Sequence, residues 1–493
     1  MKIESYLKTS DRFTYKAEKL VPYYPKWFAY ILFIGGCLAM LTLVTTTYVI
    51  LSIDFYITVY GAFVITYYML QMIFAEIYRR FVYSKFKDNF PLDEYYKVGI
   101  QVVGYREESH LFKKCIENVI KVNHKNKIIV VSIDGDSDKD EYMKTIANDL
   151  LVNSGLEYKI LFNPHEGKRG ALYHSYKYLR DKVDFVITTD SDSELPPDLC
   201  NLCVPMVQDQ EVIVTCGEVF ISNWEENFLT RVLVPRYYVA FALERNCFSF
   251  FGVMNCASGP IGCYRASLLR HDYILEEELR HQKYLWCDSC HVGDDRHMTV
   301  IGLQYGKCLS IPYIASKSDT PTELHKFIIQ QTRWAKSYHR ETLLEVNSTR
   351  FHNFAYCFMI FFAYTFSFIL LAYLILLLLS RTTWWNLIVS VGIMFGVNFL
   401  RSFYLYLISG RKIMLMYVFY LPYYVLLILP IRLYTLFTHF DAKAWMTITT
   451  DEEREKSKYL LWYRTYGQYF VIITWDLTLL GLFGWWLYYQ ITI

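Results

Sequence analysis

The chain has 493 residues, a formal net charge of +2 and a hydrophobic fraction of 54%. So small a net charge excludes a nucleic-acid binder held by a basic surface. The apolar residues gather in long runs at both ends, which excludes an ordinary soluble chain. Residues 1–26 form a tail carrying Lys2, Lys8, Arg12, Lys16, Lys19 and Lys26. The runs 27–51 and 55–75 are each long enough to cross a bilayer. Asp54 lies in the turn between them, and Arg79, Arg80, Lys85 and Lys87 follow the second. Lys and Arg favour the cytosolic side, so the tail and the segment after residue 75 are expected in the cytosol.

Residues 76–320 read as a globular α/β insert. A buried strand is expected at 97–104, then a helix to about 122 and a second strand at 127–133, ending in Asp134-Gly135-Asp136. A third strand falls near 158–163, a helix starts near Lys168, and a fourth strand, 184–189, runs into Asp190-Ser191-Asp192. Alternating strands and helices predict a parallel sheet with helices on both faces. Ligands of such sheets bind beyond the C-terminal strand ends, where each acidic cluster falls. Asp190 and Asp192 are two apart in extended chain, so their carboxylates point the same way. Such a pair suits Mg²⁺ or Mn²⁺ shared with substrate phosphates, or else a solvated turn. Lys168 and Arg169, after Gly167, suit a diphosphate at a helix start, or a plain surface pair. The Cys-x-x-Cys pairs Cys200/Cys203 and Cys287/Cys290 lack ribbon spacing and read as reduced, buried thiols rather than zinc ligands.

Residues 321–350 are expected as amphipathic helix at the membrane surface. Gln330, Arg333 and Trp334 stand at i, i+3 and i+4 and share a helical face. Arg333 offers a fork for a diphosphate, and Trp334 a platform for a sugar ring. The plainer alternative is a snorkelling Arg beside an interfacial Trp. In residues 351–493 the runs 353–379, 384–409 and 467–491 are long enough to span. The run 413–438 is interrupted by Pro422, Pro430 and Arg432, and is expected to be re-entrant or interfacial. That leaves 439–466 cytosolic and makes five crossings. Arg401 and Asp476 lie inside apolar runs, where they either line a polar path or form a buried pair.

These residues carry a recognisable pattern. The motifs are Val-Val-Gly-Tyr-Arg-Glu-Glu (102–108), Ser-Ile-Asp-Gly-Asp (132–136), Gly-Lys-Arg-Gly-Ala-Leu (167–172) and Asp-Ser-Asp-Ser (190–193). They continue with Glu-Arg-Asn-Cys (244–247), Cys-Ala-Ser-Gly-Pro-Ile-Gly-Cys-Tyr-Arg (256–265), Gly-Asp-Asp-Arg-His-Met-Thr (293–299) and Gln-Gln-Thr-Arg-Trp-Ala-Lys-Ser-Tyr (330–338). The chain resembles the membrane-embedded processive synthases of glycosyltransferase family 2, and among them the class I hyaluronan synthases. The resemblance implies a cytosolic GT-A-like, Rossmann-type domain inserted between transmembrane helices. It implies inverting polymerisation of hyaluronan from UDP-N-acetylglucosamine and UDP-glucuronate with Mg²⁺ or Mn²⁺, and export of the growing polysaccharide through the bilayer. It further implies a multi-pass protein of the plasma membrane for which one chain suffices, with the oligomeric state left open and no nucleic acid bound.

The implied roles fall residue by residue. Tyr105 and Asp134 would hold the uracil, with Glu107 and Lys168 nearby. Asp190 would contact the nucleotide and Asp192 the metal. Gln330 and Arg333 would hold the diphosphate. Trp334 and Cys256 would form the acceptor site, and Asp295 would be the catalytic base. Trp445 would belong to an active-site loop, although Met446 follows it where the family has Gly. The alternatives at this stage are a chitin-type N-acetylglucosamine polymerase and a catalytically silent membrane scaffold.

Overall fold

The computed structural model describes residues 42, 54–86, 92–135, 138, 140–284, 290, 292–349, 354–379, 383–440 and 458–492. The first expected span, 27–51, and Trp445 lie outside them. Helix α1 (Phe55–Ile77) is apolar all round, as a membrane helix must be. It leads through a helical turn to the globular domain.

That domain opens with β1 (Val98–Gly104), α2 (Ser109–Ile120), β2 (Lys127–Asp134), α3 (Glu141–Val152) and β3 (Glu157–Asn163). Then come α4 (Lys168–Leu179), β4 (Phe185–Asp190), β5 (Val212–Ile221), α5 (Phe228–Tyr238) and α6 (Arg245–Ser249). It closes with β6 (Gly262–Arg265), α7 (Asp294–Tyr305) and β7 (Lys307–Ser318). The sheet order is β3-β2-β1-β4-β6-β5-β7. The expected parallel sheet holds for β3, β2, β1 and β4, but β6 runs antiparallel to both β4 and β5, so the sheet is mixed. β6 has only four residues, too few for a period to be read.

β1 and β2 are buried along their whole length, which is why they read as continuous apolar runs. Register pairs Gly104 with Ile133 and Val103 with Asp190. The C-terminal ends of β1, β2 and β4 therefore line up, and Tyr105, Asp134 and Asp190 share one edge of the sheet.

The domain passes into α8 (Leu324–Thr349), then α9 (Phe354–Leu379), α10 (Trp384–Ser409), α11 (Leu429–Leu436) and α12 (Lys458–Thr492). Among the described residues, five helical stretches are long and apolar enough to cross a membrane: Phe55–Lys85, Met359–Leu379, Trp384–Ser409, Lys412–Leu436 and Tyr466–Thr492. The chain is a membrane protein. Lys412–Leu436 changes helical type three times, from 3₁₀ to α to π to α, around Pro422 and Pro430. Its first part packs on α5 of the globular domain, with Phe419 edge-on to Phe228.

Arg401 is buried and does not pair with Asp476. It bonds Tyr417 at 3.0 Å and Gln71 at 3.2 Å, and lies 3.7 Å from Glu244. All ten described cysteines are free thiols, Cys200, Cys203 and Cys290 among them.

Candidate active site

Asp134, at the end of β2, is buried and accepts from the backbone N–H groups of Glu166 (2.9 Å) and Gly167 (3.0 Å). It thus fixes the loop that starts α4. Burial pushes its carboxyl up, opposed by His165, whose Nδ1 lies 3.1 Å away. The His165 ring stacks on Tyr105 at 4.5 Å, and the Arg106 guanidinium covers Tyr105 at 4.9 Å. Tyr105 and Asp134 are therefore neighbours through His165, a residue the motifs did not single out.

Lys168, the first residue of α4, donates to Asp190 at 2.6 Å and reaches Asp294 at 3.7 Å. Burial opposes its charge, but Asp190, Asp294 and Asp295 together hold it firmly protonated. Its neighbour Arg169 turns away from the site. It donates to the carbonyls of Leu279 and Val292, each at 3.2 Å, so it braces the fold and is neither a diphosphate ligand nor a surface residue. Gly259 presses on the Lys168–Asp190 pair: a Cβ there would stand 2.9 Å from Lys168 Nζ and from an Asp190 oxygen. That contact explains a glycine in Ser-Gly-Pro.

Asp192 is pushed up to about 7 by burial, with Asp190 and Glu107 adding like charge. Glu107 accepts from Ser191 at 2.9 Å. Among the described residues no three His, Cys, Asp or Glu are placed to hold a metal ion by themselves. The donor set nonetheless suits a hard cation. Asp190 and Glu107 lie near enough to Asp192 to raise it, Lys168 pairs with Asp190, and Mg²⁺ or Mn²⁺ usually takes one or two carboxylates plus substrate phosphates.

Helix α7 carries the late acids in its first turn. Gly293 caps it at φ 78°, a left-handed conformation that favours glycine. Asp295 is pushed up by burial and by Asp294, and Asp294 is held down, against burial, by Lys168 and Arg169. Thr299 links α7 to the Cys256 loop, donating to the Asp295 carbonyl at 2.6 Å and accepting from Ala257 N–H at 2.7 Å. Cys256 is close enough to Asp295 for its thiol to feel that charge. Lys168, Gly259, Tyr264, Asp294 and Asp295 line one cavity.

Helix α8 brings in the last group. Arg333 feels Asp294, Asp295 and Asp190, although burial lowers its pKa. Gln330 lies by the Tyr237 hydroxyl. Trp334 is 44% exposed, with Tyr237 at 6.2 Å. Asp190 at the end of β4, Lys168, the α7 acids and Arg333 thus act on one another across one region, with an open aromatic next to Arg333 on α8. Support lies beneath: Ser337, inside the last motif, and Glu341 and Glu345, beyond it, follow Arg333 at i+4 intervals on α8, and all meet the loop and helix that carry Asp295.

A mixed sheet with an acid pair ending β4, a late acid pair and a facing arginine defines a glycosyltransferase of the GT-A type. Residues 101–271 match the family described as Glycosyl transferase family 2. Hyaluronan synthase 2 of Xenopus laevis is 29% identical over 428 residues, covering 77% of this chain and 74% of that protein. Hyaluronan synthase 3 of Homo sapiens is 29% identical over 439 residues, covering 79% and 76%. A solved mannosyltransferase from Pyrobaculum calidifontis, in complex with GDP-Man and Mn²⁺, aligns with a TM-score of 0.49 and 12% identity, over 74% of this chain and 98% of that one. Residues 101–271 thus carry a family 2 glycosyltransferase domain, and the chain is similar to hyaluronan synthases over about three quarters of its length.

Proposed function

We propose that this protein polymerises hyaluronan from UDP-N-acetylglucosamine and UDP-glucuronate on the cytosolic side of a plasma membrane and passes the chain through the bilayer. The observation that carries the reading is the convergence of Asp295, Lys168, Asp190 and Arg333 beside the exposed Trp334. A binding scaffold has no use for a buried acid pair and a lysine lining one cavity with an arginine acting on the same acids.

The acceptor sugar rests on Trp334, with Cys256 lining its site. Its hydroxyl gives a proton to Asp295 as its oxygen bonds to the donor's anomeric carbon. The bond from that carbon to UDP breaks on the opposite face, which inverts the configuration. A general base contributes about 10²–10⁴ in rate. The raised pKa of Asp295 suits it to accept that proton. Arg333 and Gln330 hold the departing diphosphate, and Lys168 adds fixed positive charge where negative charge develops. Tyr105 and Asp134 hold the base, with Glu107 near them. Asp192, with Asp190 beside it, would hold Mg²⁺ or Mn²⁺, which when bound neutralises charge on the leaving diphosphate.

A polyanion is favoured over a neutral chitin chain by what lies beyond Trp334. Arg296 covers one side of the Tyr338 ring at 4.6 Å, Arg432 approaches the same ring at 5.1 Å, and Arg432 donates to Ser367 at 2.7 Å. Cations and hydroxyls thus continue from α8 into the membrane helices, as a path for glucuronate residues requires. Packing of Phe419 on Phe228 fits 412–419 as interfacial, with 439–466 cytosolic.

Purified protein should form high-molecular-weight product only with both UDP-sugars and Mg²⁺ or Mn²⁺, and hyaluronan lyase should degrade it. Polymer formed from UDP-N-acetylglucosamine alone and cut by chitinase would overturn the assignment.

A further inference from the structure

Behind the catalytic face lies a buried ionic seam between α7 and α8. His297, 2% exposed, sits between two carboxylates: Nδ1 is 2.8 Å from Glu341 Oε2, and Nε2 is 3.0 Å from Glu278 Oε2. A ring with a carboxylate on each nitrogen must donate from both, which only the imidazolium can do. Gln282 completes the ring's surroundings, its amide nitrogen 2.8 Å from Nδ1 and 3.2 Å from Glu341. That amide donates to Glu341 Oε1, which holds the carboxylate beside the ring.

The cluster extends in both directions. Arg340 bonds Glu341 at 2.7 Å and also the Val292 carbonyl, which Arg169 of α4 shares. Arg296 bonds Glu345 at 2.9 Å. At the mouth of the seam a Cβ on Gly293 would stand 2.0 Å from Ser337 Oγ, so the backbone just before Asp294 rests directly on α8. Arg333, Ser337, Glu341 and Glu345 are successive i+4 positions of one helix. The grip on His297 two turns below Arg333 therefore sets the distance between Arg333 and Asp295.

We propose that His297 is a positioning residue: as a doubly paired imidazolium it locks the base-bearing α7 to the diphosphate-binding α8. The proposal rests on the reading of Asp295 and Arg333 above. His297 touches neither substrate nor reacting atoms. Among the groups facing it, burial and Arg169 oppose its charge, while Glu341 and Glu278 favour it and raise its pKa. The locking interaction is thus complete below about pH 6.5, the ordinary histidine value. It is lost as pH rises through the raised value, when two carboxylates face a neutral ring.

The test is the pH–rate profile of the full-length enzyme with both donors, for wild type, His297→Gln and Glu278→Gln. Wild type should lose kcat on the alkaline side while UDP affinity holds. His297→Gln should show kcat lowered about 10–100-fold, as for a misplacement near 1 Å, with that alkaline limb gone and UDP affinity unchanged. Glu278→Gln removes the more exposed carboxylate and leaves the ring. It should keep kcat near pH 6 and move the limb down by about one pH unit. The same alkaline limb in all three proteins, or equal loss of UDP affinity and kcat in His297→Gln, overturns the proposal. A wild type that turns over no UDP-sugar defeats the function itself, and is told apart by the wild-type arm alone.

Discussion

At the residue scale, the site is built from charges that only make sense together. Asp294 and Asp295 are adjacent in sequence yet differ in state. Lys168 and Arg169 hold Asp294 down against burial, while burial and Asp294 itself raise Asp295. One acid is a fixed counter-charge, and the other is free to take a proton. Asp295→Asn should therefore lower transfer by at least about 10²-fold and leave UDP affinity within a factor of two, measured by calorimetry on the same preparation. Parallel loss of both would make Asp295 a donor-site residue. Most of these groups were legible in the sequence, because acids ending apolar strands, and Gln330, Arg333 and Trp334 on one helical face, stand out against their surroundings. His165 and Gly259 were not. Their roles come from contacts with Tyr105 and with the Lys168–Asp190 pair, and no local pattern announces a contact.

At the element scale, the decisive unit is the α7–α8 seam. The motifs that begin at Gly293 and at Gln330 read as two separate signatures. The structure makes them two sides of one interface, held by Arg296–Glu345 and His297–Glu341. Glu341 and Glu345 stand outside the motifs, and a sequence does not say which charged residues will be buried. Their i+4 spacing from Arg333 through Ser337 was the available signal. The strands show the same division. β1, β2 and β4 were visible as apolar runs, while the antiparallel β6 was too short to see. Gly293 tests the seam directly. Gly293→Ala adds strain at φ 78° and drives a methyl into Ser337. It should cost on the order of 1–3 kcal/mol of stability and most of the activity. Ser337→Gly on the same background should restore part of the activity, since it removes the clash and leaves only the backbone strain. No recovery in the double variant would mean that the φ requirement alone accounts for the loss.

At the scale of the whole molecule, the catalytic domain is docked on the membrane helices through specific polar contacts as well as apolar packing. The Tyr78 hydroxyl, at the end of the first described span, donates to the Ser310 carbonyl of β7 at 2.6 Å, and Phe74 stacks on Phe250 at 4.8 Å. Arg401 is the wider junction. From the middle of α10 it bonds Gln71 of the first span and Tyr417 of the 412–419 stretch, covers the Tyr68 ring at 3.9 Å, and faces Glu244 of the catalytic domain. Glu244 belongs to Glu-Arg-Asn-Cys, a motif without a chemical role in the site; its place at this junction supplies one. Arg401→Met keeps the length and apolar stem of the side chain but removes every one of those bonds. Glu244 retains Arg236 at 3.5 Å, so the loss should stay near the low end for a broken buried pair, about 3 kcal/mol. The expected outcome is a lower unfolding midpoint in detergent and shorter polymer, with UDP affinity unchanged, because Arg401's bonds go to Gln71, Tyr417 and Glu244 and not to Tyr105, Asp134, Lys168 or Asp190. Unfolding midpoint and product length can be read from one preparation, by a thermal scan and by gel electrophoresis. A variant with full-length product and an unchanged midpoint would show that the domain keeps its seat on the membrane helices without Arg401.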